Sequence, residues 1–381
     1  MALTLFLFLS LCITYCRVDA RSKILSDGNN NFTLSYNIMH QVIKDFDCVH
    51  IYKQPALQHP LLKNHKIQLH PTFAMNIMLN RPSNVKTTHE CPVGKVPIYN
   101  GARKRQIITN SSPKLQIGDF QQYSQSSSNY HTVTLDTTQN MIFHGANAII
   151  AAYNLSLKAN QYSMSSIWIA SGPPTELNII LTGFGVHPGL YGDSQLRLTS
   201  YWTVDGKKTG CYNQLCPGFV QVNHDKENAL GSVLSPTTPI GSTTKYVAPI
   251  KIKQDRSTSH WWLIIHESIY VGYWPKELFT HLSKGAAFIR FGGQTYAPPN
   301  NDSPPMGSGR LPKEKFPNSG LMGELEIIDS GYNEIDVNPE DMKPYTDTNS
   351  NCYDLAYRGY QGSSYRQAFL YGGPGGRNCG I

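Results

Sequence analysis

Short apolar runs separated by polar turns fill the chain from about residue 130 onward. The runs are rich in Ile, Val, Tyr and Trp, and clusters of Gly, Pro, Asn and Asp separate them at intervals of about 8–15 residues. Examples are GANAIIAAYNLSL, SSIWIASG, LRLTSYWTV, HWWLIIHESIYVGYW, AAFIRFGG and LMGELEIID. This pattern predicts many short strands and a mainly β fold, either a sandwich or a barrel.

The part before residue 130 has a different pattern. Residues 21–110 carry the few helix-like patterns, such as YNIMHQVIKDF, and the basic, proline-rich stretch YKQPALQHPLLKNHKIQLHP. Residues 110–130 are rich in Ser and Gln and poor in charge, which is typical of a linker or a processing region. In the second part of the chain, PKELFTHLSKG predicts one short helix.

The first twenty residues, MALTLFLFLSLCITYCRVDA, predict a secretory signal peptide that is cleaved before Arg21. Their apolar block is too short to span a bilayer comfortably, and it ends in a small-residue pattern. No later stretch approaches the length of a transmembrane helix. We therefore expect a secreted protein without a membrane span, in an extracellular, vacuolar or apoplastic compartment.

Six cysteines remain after the signal, an even number that predicts disulfides in a secreted chain. They are Cys48, Cys91, Cys211, Cys216, Cys352 and Cys379. Spacing alone leaves their pairing open, although CYNQLC is short enough for a local loop. A zinc site is the weaker reading, because C-x4-C stands without a second cysteine pair or paired histidines.

Glycosylation sequons and a basic charge complete the picture of a secreted protein. The predicted glycosylation sites are Asn31, Asn110, Asn154 and Asn301. A net charge of +7 favours contact with polyanions such as acidic wall polysaccharides. The Lys and Arg residues are scattered along the chain and form no known nucleic-acid motif, so nucleic-acid binding is not expected.

The common catalytic motifs are incomplete. Ser308 in MGSGR lacks the spacing of a nucleophile elbow, and the pair His266-Glu267 lacks the second histidine of a metallopeptidase helix. His59, His65 and His70 lie among lysines and prolines, where a packing or solvated role is expected. The phosphate-binding glycine loops are missing as well. No cofactor or metal is predicted, and catalysis by two paired carboxylates is the remaining candidate.

Long motifs in this chain resemble the neprosin family of secreted, largely plant proteins, whose founding member is a glutamic endopeptidase that cleaves after proline at acid pH. CVHIYKQPALQHPLLKNHKIQLHP resembles the activation peptide of that family. LYGDSQLRLTSYWTVDGKKTGCYNQLCPGFVQVN, WWLIIHESIYVGYWPKELF and PMGSGR resemble its catalytic domain. The resemblance implies an antiparallel β-sandwich of jelly-roll type, preceded by a smaller propeptide domain that covers the cleft and is removed in acid.

The resemblance also implies domain boundaries and disulfide pairs. A signal peptide would span residues 1–20, an activation peptide and linker residues 21–127, and a peptidase-like β-sandwich residues 128–381. The implied pairs are Cys48–Cys91, Cys211–Cys216 and Cys352–Cys379.

The two catalytic glutamates of the family are replaced in this chain. The first family motif aligns with the strand that contains Asn178, Gly183 and Val186 and places Leu181 at the glutamate. The second aligns with IRFGGQTY, where Arg290 and Gln294 stand at two glutamates of which one is catalytic. Phe184 and Phe291 replace the neighbouring tryptophans of the family, and Arg310 replaces the histidine after its M-G-S-G.

The replacements predict a catalytically impaired homologue that keeps a groove. Leucine holds no proton, glutamine does not titrate, and arginine is a fixed cation. The groove would bind an extended or proline-rich polypeptide or an acidic wall polysaccharide. The candidate groove residues are Tyr191, Tyr201, Trp202, Trp261, Trp262 and Trp274, for which a role in the core of the sandwich is the alternative.

Two other interpretations remain open. The chain would be an active acid prolyl endopeptidase if displaced carboxylates replaced the two glutamates. The candidates are Asp193, Glu267, Glu324 and Glu326. However, Asp193 and Asp205 lie beside glycines in turns, where backbone capping is their ordinary role. It would instead be a structural secreted protein if the leading segment were never removed. The sequence does not predict an oligomeric state.

Overall fold

The computed structural model describes residues 22–27, 30–36, 39–41, 45–74, 89–101, 130–205 and 210–380. The side chains of residues 22–32 and 39–41 lie outside this description. The predicted signal peptide, most of the predicted linker and the sequon at Asn110 therefore lie outside the described residues, and so does the side chain of Asn31. Asn154 is exposed and Asn301 is half-buried.

The described residues are mostly β-structure. The strands, in chain order, are β1 (Ser22–Asp27), β2 (Asn30–Ser35), β3 (Met39–Gln41), β4 (Phe46–His50), β5 (Lys95–Tyr99), β6 (Tyr130–Thr137), β7 (Gly145–Ala151), β8 (Tyr162–Ser171), β9 (Asn178–Val186), β10 (Arg197–Thr203), β11 (Gly210–Tyr212), β12 (Val220–Gln221), β13 (Val233–Ser235), β14 (Thr244–Gln254), β15 (Trp261–Ile265), β16 (Ile269–Trp274), β17 (Phe288–Tyr296), β18 (Met306–Gly307), β19 (Gly320–Ile328), β20 (Glu334–Asp336), β21 (Met342–Thr346), β22 (Asp354–Tyr360) and β23 (Gln367–Gly373).

Helices are few and short. The α-helices are α1 (Pro188–Tyr191), α2 (Lys315–Asn318) and α3 (Gly362–Tyr365). Single 3₁₀ turns span Ile51–Lys53, Pro55–Gln58, Pro60–Leu62, Thr72–Ala74, Pro174–Glu176, Lys226–Asn228, Lys276–Leu278, Leu282–Lys284, Pro312–Glu314 and Pro339–Asp341. The stretch PKELFTHLSKG thus forms two 3₁₀ turns instead of the one short helix that its pattern predicts.

Two large sheets contain nearly all the strands. The twelve-stranded sheet has the order β12-β16-β15-β14-β7-β19-β23-β18, with β1, β2, β20 and β22 at its margins. The nine-stranded sheet has the order β21-β6-β17-β8-β9-β10-β13-β3, with β11 paired to β10. All described pairings are antiparallel except that of β2 with β14. Strands β4 and β5 form a separate two-stranded sheet.

The two sheets pack face to face over one apolar core. Ile180 and Phe291 enter this core from the nine-stranded sheet, and Ile250 and Trp261 enter it from the twelve-stranded sheet. Neighbouring side chains on a strand point to opposite faces, so Trp262, next to Trp261, lies on the outer face of its sheet. These contacts confirm the predicted mainly β, antiparallel sandwich.

The segment before residue 102 adds strands to both sheets. Strand β2 pairs with β14 of the twelve-stranded sheet, and β3 pairs with β13 of the nine-stranded sheet. The helix prediction for YNIMHQVIKDF is wrong for its described residues, because β3 lies inside this stretch and β4 begins at its end. Pairing with an available sheet edge outweighs the weak local helix pattern.

Three disulfides close the loops of the sandwich. They join Cys48 to Cys91, Cys211 to Cys216, and Cys352 to Cys379. These are the pairs that the family resemblance implies. The first connects β4 to a residue just before β5, and it therefore holds the two-stranded sheet of the leading segment together.

Candidate functional site

The outer face of the nine-stranded sheet carries three neighbouring rows of side chains that run across the strands. The first row consists of Asp136, Arg290, Trp168, Leu181, Tyr201 and Tyr212. The second consists of Thr134, Gly292, Ser166, Gly183 and Thr199. The third consists of Thr132, Gln294, Met164, Gly185 and Arg197. The register of these six strands therefore decides which side chains face one another.

The first row contains both Leu181 and Arg290. Leu181 on β9 pairs with Trp168 on β8, and Trp168 pairs with Arg290 on β17. Two strand spacings separate Leu181 from Arg290, which corresponds to about 10 Å between their Cα atoms. Gln294 lies four residues further along β17, so its Cα atom is roughly 16 Å from that of Leu181. Of the two candidates, Arg290 is the one that stands opposite Leu181.

Arg290 is held by a carboxylate and by three aromatic rings. Its Nε and Nη2 donate hydrogen bonds to the two oxygens of Asp136, at 2.8 and 2.6 Å. Its guanidinium carbon lies 5.1 Å from the ring centre of Trp168, 5.3 Å from that of Phe288 and 4.7 Å from that of Tyr345. Only 4% of its side chain is exposed. A two-pronged ion pair in an aromatic cage fixes this cation in place.

The second row is a floor of small residues. A Cβ atom on Gly183 would lie 1.9 Å from the carbonyl oxygen of Ser165. A Cβ atom on Gly292 would lie 2.3 Å from the carbonyl oxygen of Val133, and the φ of this glycine is +156°. Both positions require glycine, and Ser166 lies between them. The row of Trp168 and the row of Met164 therefore border a low strip across the sheet.

Aromatic side chains gather beside these rows. Tyr201 and Tyr212 are directly paired, and their ring centres are 5.2 Å apart. The hydroxyl groups of Tyr191 and Thr199 share a hydrogen bond, with 2.7 Å between their oxygens. Tyr191, Tyr201, Trp168 and Leu181 belong to one apolar cluster on this face. Two predicted groove residues, Tyr191 and Tyr201, thus lie near Leu181.

The four predicted groove tryptophans lie elsewhere. Trp202, Trp261 and Trp274 are buried in the core between the sheets. Trp262 is completely buried on the outer face of the twelve-stranded sheet, under the leading segment. The groove role predicted for Trp202, Trp261 and Trp274 does not hold in this structure, because strand register turns them toward the core. Trp262 is covered by the leading segment, as the cluster of Tyr191 and Tyr201 is, and its groove role stays a prediction.

Of the four displaced carboxylates, Asp193, Glu324 and Glu326 have other partners, and Glu267 lies in a turn. Asp193 accepts hydrogen bonds from Arg197 at 2.5 and 3.3 Å and from the backbone N–H of Gln195. Glu267 lies in the turn between β15 and β16, at a φ of 65°. Glu324 accepts a hydrogen bond from Tyr36 at 2.7 Å, and Glu326 is paired with Arg366. Both of these glutamates lie on β19 of the twelve-stranded sheet. None of the four replaces a carboxylate beside Leu181.

The incomplete motifs have structural roles. His266 and Glu267 both have positive φ angles in the tight turn after β15. Ser308 is buried and accepts a hydrogen bond from the backbone N–H of Arg310 at 3.3 Å. Asp205 donates its backbone N–H to Thr203. These geometries agree with the turn and capping roles expected from the sequence.

The leading segment covers part of both outer faces. Phe46 and Tyr99 belong to the same apolar cluster as Leu181, and the ring of Tyr99 lies 5.5 Å from that of Tyr191. On the other sheet, Asp255 accepts hydrogen bonds from the backbone and side chain of Thr72, at 2.6 and 2.7 Å. All residues of the three rows are buried in this structure, and Phe46 and Tyr99 of the segment contribute to that burial.

The three histidines of the segment have different surroundings. His70 is exposed, and His59 accepts a hydrogen bond from the backbone N–H of Leu61. His65 is buried against His260, with ring centres 5.2 Å apart, and its Nε2 lies 2.8 Å from the hydroxyl oxygen of Tyr273.

His65, His260 and Glu277 could together hold a metal ion, since one ligand atom from each lies within 4.8 Å of the others. However, Nδ1 of His260 already accepts the backbone N–H of Lys276 at 3.1 Å. That contact occupies one of the candidate ligand atoms.

Sequence reasoning missed Asp136, Trp168 and the row itself. The alternation of SMSSIWIA places Ser166 and Trp168 on one face of a strand, which marks Trp168 as an outer-face residue. Asp136 carries no motif, and only the pairing of β6 with β17 brings it to Arg290.

Solved structures of two peptidases resemble this fold at low identity. One is titled "Crystal structure of Scytalido-glutamic peptidase with a peptide based transition state analog"; it is 10% identical, with a TM-score of 0.32, and the match covers 65% of this chain and 98% of that chain. The other is titled "Structure of SCP-B a member of the Eqolisin family of Peptidases in a complex with a Tripeptide Ala-Ile-His"; it is 9% identical, with a TM-score of 0.32, covering 64% of this chain and 97% of that chain.

Family comparisons match both parts of the chain. The family described as neprosin activation peptide matches residues 44–147. The family described as neprosin matches residues 159–374, which is more than half of the chain and contains β9, β10 and β17. This chain, with an activation peptide and a peptidase-like domain, belongs to the neprosin family.

Proposed function

We propose that this protein is a secreted, catalytically impaired member of its family that binds extended polypeptide on the outer face of the nine-stranded sheet. The observation that carries the proposal is the first row. Leu181 and Arg290 stand opposite each other across Trp168, where the family resemblance implies two glutamates.

The first row contains no pair of free carboxylates that could act as acid and base. Leu181 has no ionisable group, and arginine keeps its charge at every physiological pH. Asp136 is the one carboxylate of the row, and both of its oxygens accept hydrogen bonds from Arg290. General acid and general base steps supply roughly 10²–10⁴-fold each, so their loss removes most of the chemical acceleration.

Binding does not depend on those two positions. The small residues Gly183, Ser166 and Gly292 form a low strip between taller rows, and the aromatic side chains of Trp168 and Tyr201, each 4% exposed while the segment is in place, lie beside it. A strip of this kind fits an extended chain with alternating side chains.

Polypeptide is a better ligand for this face than an acidic wall polysaccharide. The two arginines of the rows are already paired, Arg290 with Asp136 and Arg197 with Asp193. A polyanion would therefore find no unpaired cation in the three rows. The scattered lysines that give the chain its net charge lie outside them.

The same proposal includes removal of the leading segment. The proposed boundary lies between residues 21–127 and residues 128–381. Removal of the first part would uncover the cluster around Leu181, which Phe46 and Tyr99 cover. Secretion and glycosylation at the four sequons belong to the proposal as well. The three disulfides support a compartment in which disulfides persist. Among the described residues, no helix has the length and apolar character needed to cross a membrane.

The test is to measure cleavage and binding with one peptide sequence. The purified, acid-treated full chain is incubated at acid pH with an internally quenched peptide that contains several prolines. We expect no cleavage above the buffer rate, and saturable binding of the same peptide by fluorescence anisotropy, without competition from polygalacturonate. Cleavage after proline would overturn the impaired assignment. Competition by the polysaccharide would move the ligand class to the wall.

A further inference from the structure

Three buried side chains next to the rows have a polar atom without a hydrogen-bond partner in the described structure. They are the hydroxyl of Tyr162, Nε2 of His187 and the hydroxyl of Tyr212. The residues are 3%, 6% and 5% exposed. A buried polar group that makes no hydrogen bond costs about 1–3 kcal/mol, so three together require an explanation.

Tyr162 and Tyr212 each contact the ring of His187. The ring of Tyr162 stacks on that of His187, with centres 5.1 Å apart and planes 24° apart. The ring of Tyr212 meets His187 edge to face at 5.4 Å. Tyr212 is the neighbour of Tyr201 in the first row, and Tyr162 belongs to β8, like Trp168. We call Tyr162, His187 and Tyr212 the polar cup.

The imidazole of the cup is a hydrogen-bond donor. Nδ1 of His187 accepts the backbone N–H of Leu190 at 3.1 Å, so the proton of the neutral ring resides on Nε2. Burial lowers the pKa of His187 to about 4, and the ring is therefore uncharged above that pH. The cup presents one N–H and two O–H groups, and it carries no cation.

The walls of the cup are aromatic. Tyr296 stacks against Tyr162 at 5.8 Å, and Tyr130 lies 4.5 Å from Tyr296. Burial, followed by the neighbouring tyrosines, raises the pKa of Tyr162 and of Tyr212 well above the usual value. Both phenols thus keep their protons and remain able to donate.

We propose that the polar cup is a subsite that binds a backbone carbonyl oxygen of the extended polypeptide. This inference rests on the proposed function. Two of the three donors can satisfy the two lone pairs of a carbonyl oxygen, and the missing cation disfavours a carboxylate in so apolar a surrounding. The carbonyl oxygen would stabilise the complex by giving hydrogen-bond partners to groups that are already buried. The side chain of the ligand plays no part in this interaction.

The first test replaces single hydroxyls. Tyr162→Phe and Tyr212→Phe are compared with Tyr357→Phe, whose hydroxyl donates to Gln367 at 2.9 Å on the other sheet. The probe is the fluorescent proline-containing peptide, with the acid-treated full chain. We expect each cup variant to bind the peptide about 2–10-fold more weakly, as for one lost hydrogen bond, and Tyr357→Phe to bind like the parent.

Stability supplies a second readout. The cup hydroxyls have no hydrogen-bond partner among the described residues, so Tyr162→Phe and Tyr212→Phe should unfold in urea at the same concentration as the parent or a higher one. Tyr357→Phe loses a hydrogen bond and should unfold at a lower concentration. If the cup variants unfold earlier and bind the peptide like the parent, the cup holds an ordered water only, and the inference is wrong.

A carbonyl scan identifies the bound atom. Peptides in which one C=O at a time is replaced by CH₂ are titrated against the parent, Tyr162→Phe and Tyr212→Phe. We expect one position to weaken binding to the parent and to have a smaller effect on the cup variants. Equal losses in parent and variants overturn the subsite alone. A parent that binds none of the peptides overturns the proposed function, and the subsite with it.

Discussion

Arg290 and Leu181 occupy one cross-strand row of the nine-stranded sheet and are separated by Trp168. The row places a fixed cation and an alkyl group where the family resemblance implies two acids. It also distinguishes Arg290 from Gln294, because four residues along β17 carry Gln294 two rows away. The register of β17 with β8 is therefore the observation on which the first prediction depends.

Two carboxylates restored in this row should restore hydrolysis. The variant Leu181→Glu/Arg290→Glu/Asp136→Asn places the acids about 10 Å apart at Cα and removes the carboxylate that Arg290 now neutralises. We expect cleavage of the quenched proline peptide at acid pH, at least about 10²-fold above the parent. The rate is measured by fluorescence against pH.

The matched control is Leu181→Glu/Gln294→Glu, in which the two acids are too far apart to act on one peptide bond. It should be as inactive as the parent. Activity in this control and none in the first variant would show that Gln294, and not Arg290, stands at the second position.

The ion pair of Arg290 and Asp136 should behave as a buried pair. Arg290→Met leaves the nearly buried carboxylate of Asp136 without its partner, and we expect the free energy of unfolding to fall by about 3–5 kcal/mol. Arg290→Met/Asp136→Leu removes both charges and should come close to the parent in urea unfolding. The exposed pair of Arg377 and Asp302 is the control, and Arg377→Met should cost less than about 1 kcal/mol. An Arg290→Met variant as stable as the parent would contradict the burial of this pair.

Much of the fold follows from local patterns. The alternation of apolar and polar residues predicts the strands after residue 130, and β6 begins at Tyr130. The helix-like pattern of YNIMHQVIKDF gives the wrong prediction, because the edge of β13, far along the chain, decides that β3 is a strand. Pairings over long sequence distances have no local signal.

The site is less predictable than the fold. Composition suggests an aromatic groove, but it does not show which face of a strand an aromatic residue occupies. Trp261 and Trp262 are neighbours, and one lies in the core while the other lies under the leading segment. The polar cup was missed because Tyr162, His187 and Tyr212 come from three separate stretches and form no motif.

The leading segment should loosen when its contact with Asp255 is weakened. Burial alone would raise the pKa of Asp255, but hydrogen bonds from Thr72, Gln68 and Ser257 lower it below the usual value. Thr72→Val removes one of these charged hydrogen bonds, and we expect a loss of about 1.5–3 kcal/mol in the local opening of the segment. Hydrogen exchange of the amide of Ala74 measures it. Thr346→Val, at a hydroxyl pair remote from the segment, should leave that exchange unchanged.

Acid should release the segment through the buried pair of His65 and His260. Burial lowers the pKa of both histidines, and the pKa of His260 falls to about 4. The nearby Glu277 raises both pKa values and so opposes this effect, whereas His65 lowers the pKa of His260 further. The undocked state thus binds more protons below the ordinary histidine pKa of about 6.5. Docking is therefore fully stable above about pH 6.5 and weakens as the pH falls toward 4.

Two variants separate this effect from other acid effects. His260→Gln should flatten the dependence of segment opening between pH 6.5 and 4, as measured by hydrogen exchange of the Leu62–Ala74 amides. His281→Gln should retain the parent dependence, because the ion-pair partner of His281 is Glu176, which lies outside the leading segment. Asp255, whose pKa is already below its usual value, weakens docking only at still lower pH, so its contribution does not overlap this window. An unchanged slope in His260→Gln would show that the histidine pair does not control the docking of the segment.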